Sequence, residues 1–204
     1  MKKSRQKLSN KEIIIIAIVS ICLDALVLVF GAFDLTCIKY LFLIPILIFI
    51  TAFDFKFRII PNVLILAGLV LWILCISADF ASYYVSSERV CLIQTVKGAY
   101  MQGPQEIALG GLLSSICFTA FCAVVAWFTS KISKHSAFGM GDIKMVFMLC
   151  LFFDLRCGAI MLIIACIAGL VFVLITKIVC ISQYNKSIPF GLTLAVATII
   201  LIVA

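Results

Sequence analysis

Two aspartates stand at the edges of long apolar runs. Asp54 lies in Asp54-Phe55-Lys56-Phe57-Arg58-Ile59-Ile60-Pro61-Asn62, and Asp142 lies in Gly139-Met140-Gly141-Asp142-Ile143-Lys144. Ionisable groups at such places cost free energy, so each is a candidate for function. Two carboxyls that meet in a bundle cannot both ionise easily and share one proton. The pair then offers a base and an acid at the same moment. The base takes a proton from water, the water attacks a peptide carbonyl, and the acid hydrogen-bonds or protonates the carbonyl oxygen. Such a pair titrates as a unit, so the sequence does not say which aspartate is base. The plainer alternative is two loop-edge aspartates that balance nearby lysines, an arrangement worth little energy.

The flanking residues favour chemistry. Gly139 and Gly141 let the backbone take unusual angles and let another chain approach closely, as an extended substrate would. Pro61 suits the first turn of a following helix, where its missing N–H costs nothing. Lys56, Arg58 and Lys144 have two readings. They anchor the cytoplasmic face, or a cation close to Asp142 favours its ionised form. The other acids read as structural. Asp34, Asp79, Glu88, Glu106 and Asp154 fall at outer ends and are expected to be solvated. Glu12 suits the positive end of the first helix. Asp24, in mid-span, is expected to face the bundle and find a polar partner. His135, the sole histidine, has no neighbour with which to form a nucleophile–base pair.

The elements that carry these residues follow from composition. The 204 residues are 65% hydrophobic and 12% charged, with mean hydropathy +1.30. Soluble domains run near about 45–50% apolar and about 25% charged. A soluble enzyme, a disordered tail and a nucleic-acid-binding module are excluded. The apolar runs are continuous, not alternating, so a closed barrel is excluded too. An all-α, polytopic transmembrane bundle remains. Seven spans are expected, at about 13–33, 39–53, 60–78, 106–129, 143–153, 158–181 and 188–204. The second and fifth are short. A basic tail, 1–12, precedes a single transmembrane domain, 13–204. With the N-terminus in the cytoplasm, 12 of the 16 basic residues lie inside, as the positive-inside rule requires. Asp54 and Asp142 then return to the same, cytoplasmic, face. The +7 net charge is read as topology, not as nucleic-acid binding. The ten cysteines form no C-x-x-C pair, so a structural zinc site is not expected. Most read as small packed hydrophobes. A disulfide among Cys37, Cys91 and Cys157 is conceivable.

Three motifs carry a resemblance. Asp54 precedes Ile60-Pro61-Asn62 at a set distance, Gly139-x-Gly141-Asp142 is followed by Lys144, and Ile188-Pro189-Phe190-Gly191 opens the last apolar run. In this order they resemble the bacterial prepilin peptidases, membrane aspartic peptidases of the GxGD type, over about residues 39–204. The resemblance implies that Asp54 and Asp142 are catalytic. It implies that Gly139, Gly141, Lys144, Ile60, Pro61, Asn62, Pro189, Phe190 and Gly191 form the substrate-binding or active-site loops. It implies prepilin or pilin-like substrates, each with a basic leader and an apolar helix, cut at the cytoplasmic face of a bacterial plasma membrane. No metal or organic cofactor is implied. Two departures stand out. Leu192 occupies a place where relatives often carry a second proline. The cytoplasmic insertion with two C-x-x-C pairs, associated with N-methylation, is missing, so methyltransferase activity is not expected. An ion- or proton-coupled transporter is the rival from another class, although no inverted repeat is evident. An inactive pilus-assembly scaffold is a second rival. Presenilin-like proteins share GxGD, but their Pro-Ala-Leu motif is absent here. The specific substrate, the secretion or uptake system and the oligomeric state stay open.

Overall fold

Every backbone N–H and C=O inside a bilayer must find its partner within the protein, and a continuous apolar run achieves this as a helix. The structure, a computed structural model, describes residues 9–30, 38–85, 104–133, 139–179 and 190–203. Among these residues there are seven helices and no strand. They are α1 (Asn10–Phe30), α2 (Ile38–Phe57), α3 (Asn62–Val85), α4 (Pro104–Ser133), α5 (Met140–Cys150), α6 (Leu155–Val179) and α7 (Phe190–Val203). Each apolar segment expected from the sequence corresponds to one helix. Among the described residues, four stretches are long and apolar enough to cross a membrane: Lys39–Phe57, Asn62–Ala81, Ile107–Ile132 and Leu155–Ile175. The chain is a multi-pass membrane protein. α5 is different. Its 11 residues measure about 16 Å, against a hydrocarbon core of about 30 Å.

α5 can be short because other helices surround it. Met145, Val146, Met148, Leu149 and Cys150 are all fully buried, and α3, α4, α6 and α7 pack on it. A segment apolar on all sides, as α5 is from Met145 onward, belongs in a core. Small residues let its neighbours approach. A Cβ on Gly68 of α3 would run into the Met148 side chain, and one on Gly111 of α4 would meet the Leu151 carbonyl oxygen at 2.5 Å. Leu43, Leu47 and Ile50 of α2 and Leu194 and Ala197 of α7 complete the core. The outward faces of α3, α4 and α6 expose Leu66, Val70, Leu113, Phe121, Ile163 and Ile167. So much contiguous apolar surface suits lipid, not water.

The helix ends are set by particular residues. The Trp72 indole N–H donates to the Leu151 carbonyl at 2.8 Å, satisfying a carbonyl freed where α5 stops. Asp154 then caps α6, its Oδ1 accepting from the N–H groups of Arg156 (2.6 Å) and Cys157 (3.2 Å). α2 ends at Arg58, the one non-glycine residue with positive φ (54°) among those described. The Pro61 carbonyl accepts from Leu64 N–H at 3.1 Å, so Pro61 caps α3 one position ahead of the first-turn site expected for it.

One expectation needs correction. Asp79 was expected to be solvated, yet it is only 2% exposed. The cause is the length of α3, which continues to Val85 and carries Asp79 one turn beyond buried Cys75 on the same inward face. Lys39 is likewise buried, its ammonium 4.7 Å from the Tyr40 ring centroid. Asp24 is half-buried, and its Oδ1 meets no hydrogen-bond partner among the described residues. Of the cysteines, 75, 122, 150 and 157 are buried, while 22, 117 and 166 lie on exposed faces, and all seven are free. Cys37 and Cys91, with Asp34, Glu88, His135, Ile188, Pro189 and the tail 1–8, lie outside the described residues.

Candidate functional site

Asp54 occupies the last turn of α2. Four residues later the chain reverses at Arg58, whose N–H still donates to the Asp54 carbonyl at 2.9 Å. The left-handed turn at Arg58 sends Ile59, Ile60 and Pro61 back over the helix end and into α3. Asp142 occupies the first turn of α5. The Gly139 N–H donates to its Oδ2 at 3.1 Å. This is a reach-back cap that satisfies one of the free donors at a helix start.

These two corners enclose one cavity of about 380 Å³. It is lined by Asp54, Arg58, Ile59, Ile60, Asn62, Gly139, Met140, Gly141, Asp142 and Lys144. The aspartates, 88 positions apart in sequence, face the same space, and the Asp54 charge acts on Asp142. Asp142 belongs to the short α5, outside the four spanning helices. Burial pushes its carboxyl up to about 6, the Gly139 N–H pulls the other way, and the Asp54 charge adds to the rise.

Glycines make the approach possible. A Cβ at Gly141 would sit 3.2 Å from the Ile60 Cβ. Gly141 thus lets the α5 start close on the α2–α3 corner. A Cβ at Gly191 would lie only 2.7 Å from Asp54 Oδ2. The first turn of α7 is therefore seated directly against Asp54. The Gly191 and Leu192 N–H groups and the Arg58 guanidinium all lie near the Asp54 carboxyl. Oδ2 itself makes no hydrogen bond of good geometry among the described residues, which leaves one carboxylate oxygen uncommitted inside the cavity wall.

The residues singled out in the sequence therefore divide. Asp54, Ile60, Asn62, Gly139, Gly141, Asp142 and Lys144 line the cavity. Gly191 touches Asp54 from behind. Pro61 shapes the corner as a cap. Phe190 opens α7 and is half-buried, and Pro189 is outside the described residues. Lys144 does not serve as the cation of Asp142. Its ammonium donates instead to Asn62 Oδ1 at 3.1 Å. Ile59 and Met140, not anticipated, also line the cavity, with Met140 72% exposed. The one available signal for Met140 was its place between the two glycines. Another unanticipated contact ties α1 to this end. Lys56 and Glu12 pair at 2.6 Å, and Glu12 also accepts from Ser9 N–H at 2.7 Å. Among the described residues no group of three or more His, Cys, Asp or Glu is arranged to hold a metal ion.

A helical membrane protein with two facing carboxyls in a cavity at helix ends defines the class. Comparison with known families then places it. The type IV leader peptidase family matches residues 41–174, well over half of the chain, and the chain belongs to that family of peptidases. The match spans α2 to most of α6, and so takes in both aspartates. No curated protein and no solved structure matches the chain.

Proposed function

We propose that this protein is an aspartic endopeptidase that removes the basic leader from prepilins or pilin-like proteins. One observation carries the reading. Asp54 and Asp142 come from separate helices and line one cavity, where the Asp54 charge acts on Asp142. Family membership supports peptide hydrolysis. The carboxyl pair supports water as the nucleophile, with the pair supplying both proton acceptor and proton donor. In the first step the ionised carboxylate takes a proton from water, and the oxygen attacks the scissile carbonyl carbon. The protonated carboxyl donates to the carbonyl oxygen. Collapse of the tetrahedral intermediate re-forms the C=O and breaks the C–N bond; one hydroxyl of the intermediate returns its proton to the pair, and the departing amine takes a proton from the pair. The pair ends with one shared proton, as it began.

The charge pattern favours cutting at the cytoplasmic face. The Glu12–Lys56 contact is consistent with this, because it puts the start of α1 at the same end as Asp54. With seven helices crossing or embedded in the bilayer and the N-terminus inside, the cavity opens toward the cytoplasm of a bacterium. The substrate's apolar helix would then remain in lipid while its leader enters the cavity mouth. No C-x-x-C pair occurs in the chain, and the reading is of a peptidase without methyltransferase activity. The test is processing of a coexpressed pilin-like precursor, read as a mobility shift and confirmed by N-terminal sequencing. Wild type is expected to process it. Asp54→Asn and Asp142→Asn, present at equal membrane levels, are expected to lose processing. Processing that survives either substitution overturns the two-aspartate mechanism.

A further inference from the structure

The Lys144–Asn62 hydrogen bond lies at the mouth of the cavity and joins two elements 82 positions apart in sequence. Asn62 is the first residue of α3, directly after the corner that leads away from Asp54. Lys144 is two residues beyond Asp142 on α5. Two residues along a helix point to nearly opposite sides. Rotation of α5 about its axis would therefore move Lys144 away from Asn62 and swing Asp142 relative to Asp54 together. At the far end of α5 the Trp72 indole of α3 holds the Leu151 carbonyl. Elsewhere on this side the contacts are apolar, Gly68 against Met148 deep in the bundle and Gly141 against Ile60 at the rim. The Lys144–Asn62 bond is the directional contact from α3 at the Asp142 end of α5.

We propose that Lys144 and Asn62 are positioning residues. Their bond sets the roll of α5 and so holds the Asp142 carboxyl against Asp54. This rests on the assignment of the aspartates above, and it gives Lys144 a role other than substrate or charge partner. Misplacement of a reacting group by about 1 Å can cost about a hundredfold in rate. The bond is exposed, so its loss is expected to leave the bundle folded.

The test uses the full-length protein in lipid nanodiscs with a purified pilin-like precursor. Lys144→Ala and Asn62→Ala are each expected to lower kcat by about ten- to a hundredfold, with KM changed less than about twofold. The double variant is expected to be no slower than either single one, because both substitutions remove one interaction. Lys144→Arg, which keeps donors at that place, is expected to recover most of the rate. A rise in KM at constant kcat would overturn the proposal in favour of direct substrate contact. Additive losses, or no loss, would also overturn it.

A second readout does not depend on cleavage. Carbodiimide modifies protonated carboxyls, and the site is located by peptide mass mapping. Labelling of Asp142 as a function of pH is expected to have a lower midpoint in Lys144→Ala than in wild type, because the carboxyl turns away from Asp54 and toward water. An unchanged midpoint in that variant overturns the clasp. If wild type cleaves no precursor, the peptidase reading fails on its own, and the labelling result still decides whether the clasp positions Asp142.

Discussion

At the scale of single residues, the site is costly to build. Asp142 titrates near 6 in the folded protein, above the usual value of about 3.9. A raised carboxyl pKa contributes stability that is fully present below the unfolded value and lost as pH rises through the folded one. Above pH 6, therefore, the wild-type protein carries an ionised, half-buried carboxylate that burial disfavours. Asp142→Asn is expected to melt at a higher temperature than wild type at pH 8. The gain should shrink as pH falls and vanish below about pH 4. Thermal unfolding in detergent across that range checks it, and a constant difference would mean that charge is not the cause. Gly191 makes the second residue-scale prediction. A methyl there would lie 2.7 Å from Asp54 Oδ2, so Gly191→Ala is expected to abolish precursor processing by displacing the carboxyl or the start of α7. Membrane levels should stay near those of wild type. Retained processing would show that α7 does not seat against Asp54 during the reaction.

At the scale of elements, α5 is the part on which the site depends. It is short, apolar from Met145 onward and held from several sides, so its position follows from the neighbours' surfaces and not from lipid. Gly111 of α4 meets the Leu151 carbonyl where α5 ends, and backbone cannot move aside as a flexible side chain can. Gly111→Val is expected to destabilise the bundle by about 1–3 kcal/mol, in line with other overpacking substitutions. The measurement is thermal unfolding in detergent, and an unchanged midpoint would mean that α4 shifts freely. Much of this level was legible beforehand. All seven helices correspond to apolar runs, because continuous hydrophobicity leaves helix as the sole solution in lipid. Less legible were the ends. The expected limit of the third run at Ala78 missed the further turns to Val85, which contain Ala81 and Tyr84 and read as ordinary loop composition. With them went the burial of Asp79.

At the scale of the whole molecule, the basic residues argue for an orientation, and the Glu12–Lys56 pair puts two of the expected cytoplasmic groups at one end. If all seven helices cross the bilayer from an inside N-terminus, Ala204 faces outward. A phosphatase fused after Ala204 is then expected to be active and a fluorescent protein at the same place dark. The reverse pattern would sink the combination of seven crossings with an inside N-terminus.

The residue types in this chain were enough to specify a helical membrane protein and to single out Asp54 and Asp142. Burial of apolar side chains and of backbone polar groups is a local requirement, and a carboxylate beside an apolar run is conspicuous wherever the run ends up. Partnership is another matter, because it depends on distances between segments far apart in sequence. The chain did not reveal that Lys144 would bond Asn62 and not attend Asp142, that Gly191 would touch Asp54, or that Lys39 and Asp79 would be buried. Each of these follows from how helices roll and approach when their small residues interlock. A shift of one residue turns a helical side chain through about 100°, so contact identity is settled only when all seven helices pack together.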